Sequence, residues 1–121
     1  MPTAAQQRER RAWAESARKR LGVCMGCGRR PRGWEVHEME RRSHSTAWAH
    51  PCNYLLLCRD CHAGPFASMP HARQLAHKLL WDAEAFDLEA WLRIRDPELR
   101  APRRVTLAEV VRELVAMVRS L

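Results

Sequence analysis

The sequence predicts an α+β fold in which a small β-hairpin is stapled by four cysteines and flanked by helices. Two Cys-x-x-Cys pairs, Cys24/Cys27 and Cys58/Cys61, stand 30 residues apart, a gap wide enough for a hairpin. Helical apolar spacing precedes the first pair and follows the second. At 121 residues the chain makes one domain whose core is small enough to want a metal staple.

Residues 4–21 read as a helix, with Thr3 as N-cap and Gly22 as its stop. Trp13, Ala17 and Leu21 recur every four residues and form a narrow docking stripe, while Arg8, Arg11, Glu15 and Arg18 share another face. The charge of the chain is concentrated here. Lys and Arg exceed Asp and Glu by 21 to 14, and residues 1–32 hold nine of those bases against two acids, so the remaining chain balances at twelve each. Four zinc-bound thiolates and the ion would lower the total to about +5. A basic arm of this kind points to nucleic acid, because neutralising phosphate is the commonest use of such a patch.

Residues 23–32 carry the first cysteine pair, with Gly26 and Gly28 in the turn and Arg29, Arg30 and Arg32 at the rim. This reads as a zinc knuckle: two intervening residues let one tight turn offer both sulfurs to a single ion, and the second pair closes a tetrahedral shell. Paired Cys-x-x-Cys favours metal over disulfides in an intracellular chain. Cys52 is left over, as a small apolar filler or a free thiol rather than a ligand.

Residues 33–38 form a first strand and residues 39–51 a polar loop that includes Arg41, Arg42, His44 and His50. Residues 54–57 form a second, apolar strand that leads into Cys58, and the second pair opens a helix. Knuckle, hairpin and helix in that order make a treble clef, also called ββα-metal when a second ion sits in it. Such a hairpin brings His37, Glu38, Asn53 and His62 into one neighbourhood.

Beyond the hairpin, residues 69–81 repeat at helical spacing with Leu75, Leu79 and Leu80 inward, His71 and His77 on the surface or half-buried, and Ser68 as N-cap. A shorter helix is predicted over residues 87–95, with Phe86, Leu88, Trp91 and Leu92 inward, followed by a proline-marked linker over residues 96–104. The last helix opens on a Thr106-x-x-Glu109 capping box. Its broad stripe of Leu107, Val110, Val111, Leu114, Val115, Val118 and Leu121 suits folding back on the core, or pairing with another chain. The organisation is thus a basic helix over 1–21, a metal-stapled core over 22–68 and a helical extension over 69–121. With no apolar run near 20 residues and no leader with an apolar core, the expectation is a soluble, cytoplasmic protein.

Residues 22–66, a little over a third of the chain, resemble the HNH endonuclease family through Cys-x-x-Cys, then Val-His-Glu-Met, then Asn-x4-Cys-x-x-Cys-His. The resemblance implies a metal-dependent nuclease that hydrolyses DNA phosphodiesters. It places His37 and His62 at the positions that hold a catalytic divalent ion (Mg²⁺, Mn²⁺, Ni²⁺ or Zn²⁺), Glu38 at the general base, and Asn53 at the residue that steadies the loop. The chain departs from the family at the base, where glutamate stands for the usual histidine. Two assignments follow: Glu38 as base with His37 on the metal, which is preferred, or the reverse. A carboxylate can do either task. Where some members carry a further histidine the chain has Phe66, so a third ligand would come from His44, His50, water or phosphate.

DNA contacts are expected from Arg8, Arg11, Arg18, Arg29, Arg30, Arg32, Arg41 and Arg42. Small proteins resembling this one are often encoded by bacteriophages, so the resemblance also implies a phage setting beside genome-packaging proteins, with the host cytoplasm as compartment and a monomer or homodimer as the working form. A different class of function also fits the composition: a non-catalytic zinc module that holds nucleic acid or a partner, its base lost at Glu38.

Overall fold

The computed structural model describes residues 3–40, 49–87, 89–91 and 106–120. Helix α1 (Ala4–Leu21) opens on the predicted cap: the Thr3 hydroxyl accepts from the Gln6 N–H, and the Gln6 side chain accepts in return from the Thr3 N–H. It ends at Gly22, in the left-handed conformation. Trp13 and Ala17 are buried and Leu21 half-buried, as the four-residue spacing predicts.

Strand β1 (Glu35–Glu38) pairs antiparallel with β2 (Tyr54–Leu57), with Glu35 opposite Leu57 and Glu38 opposite Tyr54. All four β2 residues are buried, because α1 lies on the hairpin and the knuckle closes over it. Met25 ties knuckle to strand: its N–H donates to the Leu56 carbonyl at 2.9 Å. Helix α2 (Arg59–Ala63) starts on Cys58, whose sulfur accepts from the Cys61 N–H. Together these elements form a mixed α+β unit around a two-stranded sheet.

Helix α3 (His71–Asp82) departs from expectation at its start and on its inner face. Ser68 does not cap it; Pro70 holds the cap position without a side-chain bond, and Ser68 instead ends the short turn Pro65–Ala67. Leu75 is buried, but Leu79 and Leu80 are only half-buried, while Gln74, His77, Lys78 and Asp82 are inside. Polar side chains can occupy that face because each finds a partner there. His77, expected at or near the surface, is buried with Nδ1 at 3.0 Å from the Met25 carbonyl oxygen.

Of the helix predicted over 87–95, residues 89–91 are helical with Trp91 buried; Leu88, residues 92–95 and the linker lie outside the described residues. The last helix, α4 (Leu107–Arg119), is capped by Thr106 and packs on α3, where Arg73 pairs with Glu113 at 3.1 Å. Only part of its stripe docks. Val110 and Met117 are buried, whereas Leu107, Val111, Val115 and Val118 face outward, because the helix meets α3 along one edge of the stripe. No described helix is long and apolar enough to cross a membrane.

Candidate functional site

The four predicted cysteines converge. Their sulfurs lie within 4.8 Å of one another, with Cys27 and Cys58 at 4.0 Å; a tetrahedral tetrathiolate site with bonds of about 2.3 Å has edges of about 3.8 Å. The knuckle turn is closed by Cys24 N–H to the Arg29 carbonyl and Gly28 N–H to the Cys24 carbonyl, both at 2.8 Å. Gly28 needs its φ of 75°. Gly26 is needed for space: a Cβ there would stand 2.7 Å from Phe66 and 3.0 Å from the Cys61 sulfur.

The donor chemistry also fits a cation. The Cys24 sulfur accepts from Gly26 N–H at 3.3 Å and Cys58 N–H at 3.2 Å. Burial pushes the Cys24 thiol up, but these backbone donors outweigh it and hold the thiol below its ordinary value. In Cys27 and Cys61 burial prevails and the thiols are pushed up. These four cysteines could therefore bind a metal such as zinc. Among the described residues they are the one group of three or more metal-ligating side chains that converges. Cys52 lies apart, fully buried, its thiol pushed up to about 12 by burial, as suits a filler.

One face of β1 looks toward α2. His37 and His62 stand edge to face with ring centroids 5.2 Å apart. The Nδ1 of His62 meets the Glu35 carboxylate, and the Nε2 of His37 is 2.8 Å from Gln74 Oε1. Phe66 packs against His37 at 5.8 Å and against His77 at 4.9 Å. Burial holds His37 below the ordinary imidazole value, although the bond to Gln74 pulls the other way. Glu38 is on the opposite face because successive strand residues alternate. Its carboxylate pairs with Arg10 of α1 at 3.2 Å, and the same arginine donates to the Val36 carbonyl.

Asn53 is fully buried at the base of the loop. Its Oδ1 accepts from the Glu40 N–H at 2.8 Å and its Nδ2 donates to the Glu40 carbonyl at 3.1 Å. One side chain thus satisfies both backbone groups of the residue that opens the loop. His50 is engaged as a cap, accepting from the Cys52 N–H at 3.1 Å; His44, Arg41 and Arg42 lie outside the described residues. Glu35, Gln74 and a pair formed by buried Glu40 and His71 at 2.7 Å were not singled out by sequence. His37, Glu38, Glu40, His71 and Gln74 line one cleft of about 230 Å³.

Arg8, Arg11, Arg18, Arg29, Arg30 and Arg32 are all exposed. Two clefts join Arg18, Arg29, Arg30 and Arg32, but not Arg8 or Arg11. One, of about 430 Å³, is lined by Arg18, Lys19, Arg20 and Arg30. The other, of about 660 Å³, lies against the cysteine cluster and is lined by Arg29, Arg30, Arg32 and Arg59. They meet at Arg30 and Pro31, so the basic surface runs from the end of α1 across the knuckle to α2. Arg10 and Arg20 are committed within the fold, to Glu38 and Asp82. Comparison with protein-family models, with curated proteins and with solved structures finds no match to this chain.

Proposed function

We propose that the chain is a metal-dependent, HNH-like endonuclease built on a treble clef whose four cysteines hold a structural zinc ion. The observation that carries this reading is the pairing of His37 with His62, rings 5.2 Å apart, beside a loop that Asn53 clamps through both backbone groups of Glu40. These are the residues that the family resemblance assigns to metal holding and loop steadying. Two imidazoles suit a divalent transition ion, and with two protein ligands the rest of its shell falls to water and phosphate. Such an ion, when bound, supplies charge stabilisation at the scissile phosphate.

The chain's own residues do the remainder. Asn53 holds the end of β1 in place, and with it the side chains of His37 and Glu38. His37 faces His62 and so suits the ion, while Glu38, assigned as the base that takes a proton from water, must turn from the opposite face of the strand to reach that water. For that, Glu38 must be released from Arg10. The basic surface from Arg18 through Arg30 to Arg59 is where the phosphates of DNA would lie. Replacing any one of these arginines by alanine should lower the salt dependence of binding by about one unit of slope. The ion pair between Arg10 and Glu38 favours a second reading, a zinc module that binds nucleic acid without cutting it.

Plasmid cleavage separates the two. Zinc-loaded protein should nick or linearise supercoiled DNA with Mg²⁺, Mn²⁺ or Ni²⁺ and not with EDTA, and His37→Ala, His62→Ala and Glu38→Ala should lose that activity while keeping their zinc. DNA binding without cleavage under every ion would leave the binding module as the function.

A further inference from the structure

His37 is held by an amide whose orientation is fixed by something other than His37. Gln74, buried on α3, has Oε1 at 2.8 Å from His37 Nε2, and its Nε2 donates to the Met69 carbonyl at 2.7 Å. A backbone carbonyl can only accept, so the amide nitrogen must face Met69 and the amide oxygen must face His37. An amide oxygen can only accept as well. The Nε2 of His37 is therefore the protonated nitrogen, and in the neutral ring Nδ1 carries the lone pair.

The neighbouring imidazole is set by the same logic from the other side. The Glu35 carboxylate takes the Nδ1–H of His62, which leaves Nε2 as the lone-pair nitrogen of the neutral ring. Phe66 against the His37 ring opposes the ring flip that would exchange its nitrogens. Partners that hold the far nitrogen of a histidine commonly determine how the near one meets a cation.

We propose that Gln74 is a positioning residue that locks His37 in the Nε2–H tautomer and so makes Nδ1 the atom it offers to a divalent cation. The use of Nδ1 as a ligand rests on the nuclease reading above; the tautomer does not. Histidine ¹⁵N–¹H correlation spectra of the zinc-loaded full chain, recorded where imidazoles are neutral and assigned with His37→Ala, read the tautomer without DNA.

The expected result is nearly pure Nε2–H at His37 in the wild type and in Gln74→Glu, which keeps an acceptor, and a mixture in Gln74→Leu. Calorimetric titration of Ni²⁺ into the same zinc-loaded proteins should show affinity lowered roughly 10–100-fold in Gln74→Leu and largely restored in Gln74→Glu. An Nδ1–H tautomer in the wild type, or an unshifted one in folded Gln74→Leu, overturns the positioning role. Absent Ni²⁺ binding in the wild type, or equal affinity in Gln74→Leu, overturns the use of Nδ1. Should Gln74→Leu fail to fold, Gln74→Met, which also removes the acceptor, is read in its place. A protein that passes these tests but never cuts DNA sinks the nuclease and leaves the tautomer lock standing.

Discussion

Lys78 has no exposed surface, and its ammonium is surrounded by three different kinds of acceptor. Nζ donates to the Tyr54 carbonyl at 2.7 Å and to Asp82 at 3.1 Å, and stands 4.6 Å from the Trp13 ring. Asp82 in turn accepts from Arg20 at 2.8 Å. The cluster joins α1, β2 and α3 through charge. Removing one partner of such a pair leaves a buried charge uncompensated, so Asp82→Ala should cost about 3–5 kcal/mol in urea unfolding. Lys78→Met should cost less, since Asp82 keeps Arg20.

The same residue gives a pH signature. Burial lowers the Lys78 pKa from 10.5 to about 8, although Asp82 pulls it up. Between those values the unfolded chain binds more protons than the folded one, so stability rises with pH. Above the ordinary thiol value of 9.0, Cys52 acts in the opposite sense: the unfolded thiol ionises while the buried one, raised to about 12, stays protonated. Stability should therefore rise from about pH 8 to 9 and flatten beyond, and Lys78→Met should reduce the rise, leaving the part that metal-bound thiolates contribute. On the acid side His37 and His77, both lowered chiefly by burial, favour folding above their unfolded value and cost stability as pH falls below it. Chemical denaturation across the pH range checks both windows.

At the scale of the element, knuckle and hairpin each depend on one residue whose neighbours leave no alternative. Gly26→Ala would drive a Cβ into Phe66 and the Cys61 sulfur, and overpacking of this kind costs about 1–3 kcal/mol. Lower thermal stability with weakened metal retention is the expected outcome. Asn53→Ala would leave the N–H and C=O of Glu40 without their side-chain partner at a buried site, at about 1–3 kcal/mol for each unpaired group. The β1 end should then loosen first, seen as faster amide exchange at Met39 and Glu40 than in the knuckle. The two roles differ in how they announce themselves. A glycine between paired cysteines carries a local signal, an asparagine before a strand is found only through the resemblance, and the buried side of α3 carried a misleading signal. Its leucine spacing pointed to Leu79 and Leu80, but partners supplied by α1, β1, β2 and the knuckle draw Gln74, His77, Lys78 and Asp82 inward.

Over the whole molecule, the cysteine cluster joins segments 30 residues apart in the chain and, with a metal bound, would staple a core of modest size. Structural zinc in comparable small sites contributes on the order of 10 kcal/mol of binding free energy, similar to the 5–15 kcal/mol stability of an entire domain. Stripping metal with excess chelator, or substituting Cys58→Ser, should abolish the cooperative melt and the near-ultraviolet signal of the buried tryptophans. Re-addition of Zn²⁺ should restore both in the wild type.

By itself the sequence determined the parts whose information is local. The paired cysteines, Thr3 and Gly22 around α1 and the exact span of β2 are legible because a turn, a cap or a ligand spacing is written within a few residues, whereas Asn53 was singled out only by the resemblance. Glu35 was missed, although a strand returns to the same face every second residue and Glu35 stands two before His37. What only the tertiary structure decided is which distant groups meet. It set His37 and Glu38 on opposite faces with different partners, brought Gln74 from α3 to His37, paired buried Glu40 with His71, and turned half of the α4 stripe outward. These outcomes depend on how helices approach the hairpin. Side-chain periodicity fixes the faces of an element but not the neighbour each face receives.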